Sequence, residues 1–215
     1  MDLLRDFVDL FLHLDRHLSQ LIAQYGTSTY AILFLIVFCE TGLVVTPFLP
    51  GDSLLFAAGT FAGMGALDPV LLFAVLFSAS VIGDSTNYWV GRYVGPRAFS
   101  GNIRYLKQEY LDKTRDFYRR HGAQTVILAR FLPIIRTFAP FVAGVGQMPY
   151  RRFLAMSLIG SVCWVGLFVG AGYFFGNLPL VRKNFSLVVM GIIAVSLLPM
   201  GIEAIKGWLQ SRRSR

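Results

Sequence analysis

Four charged side chains sit in segments that are otherwise apolar. Glu40 and Asp52 bracket a stretch carrying Pro47, Pro50 and Gly51, and Arg130 and Arg136 bracket a shorter one carrying Pro133, with Pro140 just beyond. A charge at the centre of a bilayer costs roughly 2.5–3.5 kcal/mol on insertion scales, so such residues are rare and mark function or a specific partner. Two acids and two arginines sum to zero, which predicts a mutually neutralised cluster near the midplane. Guanidinium presents a rigid donor fork that grips a phosphate bidentately, and carboxylates in low dielectric exchange protons. The expected chemistry is therefore recognition of an anionic headgroup by Arg130 and Arg136, with Glu40 and Asp52 as proton-coupling groups. A fixed salt-bridge network holding the segments together is the competing reading.

The segments that must position these residues are membrane-like. Hydrophobic residues make up 55% of the 215-residue chain, charged residues 15%, and the mean hydropathy is +0.58. Residues 21–39, 153–181 and 184–202 carry no charge, and 69–91 carries only Asp84. Each is long enough to cross about 30 Å of hydrocarbon as a helix. The chain reads as an all-α polytopic membrane protein with about four full transmembrane helices. Asp and Arg in the first 20 residues argue against a cleaved signal. Leu4, Phe7, Val8, Phe11, Leu14 and Leu18 share a helical stripe opposite Arg5, Asp6, Asp9, His13 and Arg16. That predicts an amphipathic N-terminal helix lying in the interface.

Residues 40–67 and 123–150 fit neither a simple span nor a loop. Proline lacks the amide hydrogen and interrupts a helical ladder, so each segment is expected to break into two half-helices with Pro47, Pro50 and Gly51, or Pro133 and Pro140, at the tip. Each broken segment precedes a full span. Paired interrupted segments in corresponding halves point to two opposed re-entrant hairpins forming an inverted repeat, with a site at the midplane. The expected order is an interfacial helix at 1–20, a span at 21–39, a hairpin at 40–67, a span at 69–91, a basic amphipathic loop at 92–122, a hairpin at 123–150, spans at 153–178 and 184–202, and a basic tail at 203–215, all in one membrane domain. With re-entrant hairpins, 16 of the 20 Lys and Arg residues, those of 1–20, 92–122, Arg151, Arg152 and the tail, share one side, which becomes cytoplasmic by the positive-inside rule together with both termini. The loop's Glu109–Lys113 and Asp116–Arg120 pairs suit a surface helix, and its charge suits either anionic lipid or simple topology control. Nothing in this pattern suits nucleic acid.

Asp84, Asn87 and Tyr88 share a helical face and form a possible secondary polar site, either a helix clasp or part of a transport path. Gly166/Gly170 and Gly172/Gly176 are spaced as packing seams. His13, His17 and His121 lie outside the spans and hairpins, so an enzyme is not expected. No His/Cys spacing fits a metal, no cofactor is called for, and Cys39 and Cys163 read as packing residues.

The motif from Glu40 through Thr46-Pro47-Phe48-Leu49-Pro50-Gly51-Asp52, then Gly83-Asp84 with Tyr88 and Gly91-Arg92, then Arg130-Phe131-Leu132-Pro133 with Arg136-Thr137 and Ala143-Gly144, resembles the DedA family. The likeness covers nearly the whole chain and departs at none of the acid or arginine positions. It implies a bacterial inner-membrane protein, dependence on the proton motive force, work on lipids, and essential roles for Glu40, Asp52, Arg130 and Arg136. Some members are linked to returning undecaprenyl phosphate across the membrane, others to phosphatidylethanolamine. The resulting expectation is a proton-coupled flippase for a lipid phosphate; a phospholipid flippase or scramblase and a proton-coupled small-cation exporter are the alternatives. Membrane lipids and protons are its expected partners, and its oligomeric state is open.

Overall fold

The structure is a computed structural model that describes residues 14–43, 51–100 and 124–195. Among these residues every regular element is helical, and the order is α1 (Leu14–Tyr25), α2 (Thr29–Gly42), α3 (Gly51–Gly63), α4 (Pro69–Ser100), α5 (Gln124–Ala129), α6 (Pro133–Val145), α7 (Tyr150–Phe175), α8 (Pro179–Lys183) and α9 (Phe185–Val195). Three stretches, Arg16–Gly42, Pro69–Gly95 and Tyr150–Phe175, are long and apolar enough to cross a membrane. Their outward surfaces carry exposed Leu35, Ile82, Val162 and Leu167, and the same character continues to Phe174. Apolar perimeters of this kind belong in lipid, where every backbone group finds its partner inside the helix. This is a membrane protein.

At 32 and 26 residues, α4 and α7 are about 48 and 39 Å long and form the axis of the fold. They run antiparallel: Asp84 meets Ser157 at 2.6 Å, and one turn back Ser80 meets Ser161 at 3.2 Å. Around them the chain makes two helical hairpins. In the first, α2 and α3 meet at Glu40 and Gly51, while at the other end the Tyr30 hydroxyl accepts from the Asp68 amide at 2.7 Å. In the second, α5 and α6 turn through Arg130, Phe131 and Leu132, whose amides bond three residues back. The arms are exchanged. The return arm α3 packs along α7 and the return arm α6 along α4, whereas α2 and α5 lie on the long helix of their own half. Small residues permit both seams: a Cβ at Gly59 or Gly172 would overlap the backbone of α7 or α3, and a Cβ at Gly91 or Gly144 that of α6 or α4. The antiparallel axis and the exchanged arms give two halves running in opposite directions.

Several boundaries differ from the sequence-based expectation. The arms of the first hairpin end at Gly42 and resume at Gly51, but the first arm begins at Thr29, inside the segment expected as the separate span 21–39. Gly26 adopts φ +52 there and breaks the helix, a conformation an L side chain resists. The 14 residues of α2 reach about 21 Å, short of the hydrocarbon thickness. Before the break, α1 folds back over the end of the bundle, with Leu18 buried, Leu21 and Ile22 packed against the core, and Arg16, Ser19 and Gln20 outward. The expected amphipathic helix is thus present from Leu14 onward. It lies at the same end as Arg182, opposite Arg92 and Arg151, not beside them as the basic-residue count required. Pro140 is not at a tip: it sits in the middle of α6, and Pro133 occupies the first turn, where a missing N–H is harmless. The span expected at 69–91 extends to Ser100, which takes up the start of the 92–122 loop. Gly172 and Gly176 form a seam with α3, but Gly166 and Gly170 face outward, with nothing within 4 Å of a Cβ built at Gly170. Residues 1–13, 44–50, 101–123 and 196–215, with Pro47, Pro50, His13, His121, the loop's charge pairs and the basic tail, lie outside the described residues.

The interior is layered. A large apolar cluster joins Leu33, Val37, Leu55, Leu72, Leu76, Trp164 and Val189, and a smaller one joins Tyr88, Val126, Ala143, Met148 and Phe153. Along α4 the buried order is Leu76, Ser80, Asp84, Tyr88; along α7 it is Phe153, Ser157, Ser161, Trp164. Steps of about four residues keep each row on one face, so a polar layer lies between two apolar ones.

Candidate functional site

Both hairpin tips deliver their charges into that polar layer. Glu40 occupies the last turn of α2, where Gly42 packs against Gly83 and lets α2 approach α4. Asp52 is the second residue of α3, where the positive end of the helix dipole favours an acid. The Glu40 carboxylate lies against the Gly51 backbone so closely that a Cβ there would overlap it. Arg136 comes from the first turns of α6. Its Nη2 donates to Glu40 Oε1 and its Nη1 to Asp52 Oδ1, the latter at 2.7 Å. One guanidinium thereby ties both arms of the first hairpin to the second.

Arg130, at the second hairpin's turn, is held differently. Its Nη2 donates to Asp84 Oδ2 and its Nη1 to the Ser80 hydroxyl. Ser157 donates to the same Asp84 oxygen at 2.6 Å. Gly160 makes the room: a Cβ on it would come within 3.1 Å of Arg130 Nε. Trp164 joins the two pairs. Its ring lies under the Arg136 guanidinium at 4.6 Å and near that of Arg130 at 5.9 Å, and its Nε1–H donates to Asp52 Oδ1 at 2.8 Å. Cation–π contact of this kind supplies up to about 2 kcal/mol when desolvated. Glu40, Asp84, Arg130, Arg136 and Trp164 are all at least 95% buried.

Arrangements of this depth are selective, because removing one partner of a buried pair strands the other. Among the described residues, Arg136 Nε, Glu40 Oε2 and Ser53 Oγ are buried without a hydrogen-bond partner, so the Arg136 side of the layer retains donor and acceptor capacity.

The VTT domain family matches residues 49–174, a range that takes in α3 through nearly all of α7. Over 209 residues, 96% of this chain and 95% of the relative, the sequence is 54% identical to Protein DedA of Escherichia coli. The chain belongs to the DedA family. Other DedA-family relatives are an uncharacterised membrane protein of Mycobacterium leprae, 43% identical over 83% of this chain and 81% of that one, and the inner membrane protein YghB of Escherichia coli, 31% identical over 80% of each. No solved structure matches.

Within this DedA-family chain, Glu40, Asp52, Arg130 and Arg136 do come together, but not as two interchangeable pairs. The sequence-based expectation distributes Glu40 and Asp52 over both arginines, whereas Arg136 takes both acids and Arg130 takes Asp84. The secondary site expected from Asp84, Asn87 and Tyr88 is divided. Asp84 belongs to the central layer. Asn87 donates to the carbonyls of Thr41 at 3.2 Å and Thr137 at 2.6 Å, clasping both hairpins to α4. Tyr88 donates to the Met148 carbonyl at the base of the second hairpin. Trp164, Ser80, Ser157 and Ser161 went unrecognised in the sequence, although the i, i+4 spacing of Ser80 with Asp84 and of Ser157 with Ser161 on two charge-poor helices is a readable signal.

Proposed function

We propose that this chain is a proton-motive-force-dependent transporter that carries a lipid phosphate, foremost undecaprenyl phosphate, across the bacterial inner membrane, and that it catalyses no covalent chemistry. The observation that carries the reading is Arg136 held between Glu40 and Asp52 where two opposed hairpins meet. Taken as re-entrant, the hairpins approach this point from opposite faces of the membrane. A phosphate monoester arriving there competes with two carboxylates for one guanidinium, and charge-assisted bidentate contact makes it an effective competitor. A carboxylate displaced from its partner in low dielectric takes up a proton. Phosphate binding and proton uptake then exchange at one arginine, and proton entry from outside drives inward release. Arg130, neutralised by Asp84 and held by the serines, anchors the turn of the second hairpin beside Arg136. The inner-membrane placement follows the description of the relative YghB, and the 92–122 end faces the cytoplasm by its basic residues.

One observation favours a second reading. With Asp84 included, the layer holds three carboxylates and two guanidiniums, an excess that suits a small cation as cargo. Substrate charge separates the readings. In proteoliposomes of purified protein, movement of undecaprenyl phosphate that rises with a pH gradient and exceeds that of phosphatidylethanolamine supports the lipid-phosphate transporter. Equal, gradient-blind movement of both lipids makes the protein a scramblase, and gradient-driven cation flux without lipid movement makes it an exporter.

A further inference from the structure

A second group of arginines lies far from the polar layer. At the end of the bundle where α3 and α7 finish, a cavity of about 510 Å³ is lined by Arg16 and Ser19 of α1, Thr60 and Met64 of the first hairpin, Arg182 of α8 and Phe185 of α9. Its size falls within the roughly 300–1,000 Å³ of small-molecule pockets. Arg16 and Arg182 belong to different helices and point into one space, and among the described residues neither side chain makes an ion pair or hydrogen bond.

Arginines near helix C-termini ordinarily serve the last carbonyls, and the opposite end of the molecule shows what that looks like. There Arg92 Nη1 donates to the Tyr88 hydroxyl at 2.8 Å and to the Met148 carbonyl at 3.4 Å, just past the end of α6. Arg16 and Arg182 have no such role. The closing carbonyls of α3 are already taken: Ala62 by the Gly65 amide, Phe61 by the Ala66 amide, and Thr60 by Asn177 Nδ2 at 3.3 Å, while Gly172 and Phe175 of α7 accept from Gly176 and Leu178. Among the described residues no acid lies between these two guanidiniums, and a single anion in the cavity would be within reach of both.

From this placement we infer that the cavity is a binding site for a phosphate group carried on a lipid, bridged by Arg16 and Arg182. The donor forks suit phosphate oxygens, Ser19 and Gln20 add polar contacts, and the apolar wall of Phe61, Met64 and Phe185 suits the start of an acyl or prenyl chain. The amphipathic α1, laid across the bundle end, holds one arginine at headgroup depth. The site stands independently of the exchange at Arg136, because no residue is shared.

The test is native mass spectrometry of the full-length protein, purified in detergent and mixed with phosphatidic acid or phosphatidylcholine, with inorganic phosphate titrated as competitor. Wild type retains phosphatidic acid over phosphatidylcholine, and Arg16→Gln with Arg182→Gln lowers that preference roughly tenfold while Arg151→Gln, at the opposite end of the bundle, does not. Arg182→Lys, which keeps the charge and loses the fork, gives an intermediate loss. Displacement of the lipid by millimolar inorganic phosphate assigns recognition to the phosphate alone; resistance to it assigns a share to the chain. Equal retention of both lipids by wild type, or unchanged preference in the double variant with its melting temperature intact, overturns the proposal.

Discussion

Arg130 is paired with Asp84, an acid on the long helix α4 outside both hairpins, and with neither acid of the first hairpin. Arg136 pairs with both Glu40 and Asp52. The two arginines of one short segment therefore differ in kind: one is anchored to the fold's axis, the other bridges acids on the two arms of the first hairpin.

That difference predicts unequal stabilities. Asp84→Ala strands Arg130 in the interior and lowers stability by about 3–5 kcal/mol. Asp52→Ala leaves Arg136 with Glu40 and costs clearly less. Thermal unfolding of the purified variants in one detergent measures both, and equal losses would contradict the division of roles.

Packing at the exchanged arms predicts a contrast among glycines on α3 and α7. Gly59→Leu and Gly172→Leu drive side chains into the backbone of the facing helix, costing at least about 1–3 kcal/mol. Gly170→Leu meets open space and stays within roughly 0.5 kcal/mol of wild type. Melting temperatures of the three variants decide it; a Gly170 variant as unstable as the others would place that face in a contact within the chain.

Trp164→Phe keeps an aromatic ring near Arg136 and removes the donor to Asp52. Asp52 retains Arg136, so the expected loss is about 1–2 kcal/mol, against about 3–5 kcal/mol for Trp164→Ala, which empties a fully buried site. Chemical or thermal denaturation of the pair tests the ordering.

If Glu40 and Asp52 exchange protons as phosphate arrives, Glu40→Gln with Asp52→Asn abolishes that exchange. Lipid movement by wild type quickens when the outside is made acidic; the double variant no longer responds to the gradient. Rates measured across matched and opposed pH gradients give the answer, and a preserved response would remove these acids from the coupling.

Much of this was legible in the sequence, and the remainder has physical reasons. Charges inside apolar segments announce themselves because their cost is large, so Glu40, Asp52, Arg130 and Arg136 stand out, and Gly51 and Pro133 stand where a new helix begins. Partner choice is a tertiary matter. Asp84 lies 46 residues from Arg130, and only the antiparallel crossing of α4 and α7 brings Ser80, Ser157 and the two charges together. A charge-free run does not reveal a bend within it, so the break at Gly26 merged the first arm with the helix before it. Small-residue spacing likewise does not say which face is covered, as Gly170 and Gly172 demonstrate from the same helix. Pro140 shows that a proline need not end a helix whose other contacts hold it.

The central claim is that Arg136 is the arginine that hands phosphate across the membrane. Its most direct test is the rate of undecaprenyl phosphate translocation by Arg136→Lys in proteoliposomes, with the variant reconstituted to the wild-type level. Lysine keeps a charge for Glu40 and Asp52 but lacks the bidentate fork, so the variant is expected to fold and to lose at least about tenfold in rate. Translocation at the wild-type rate would contradict the claim.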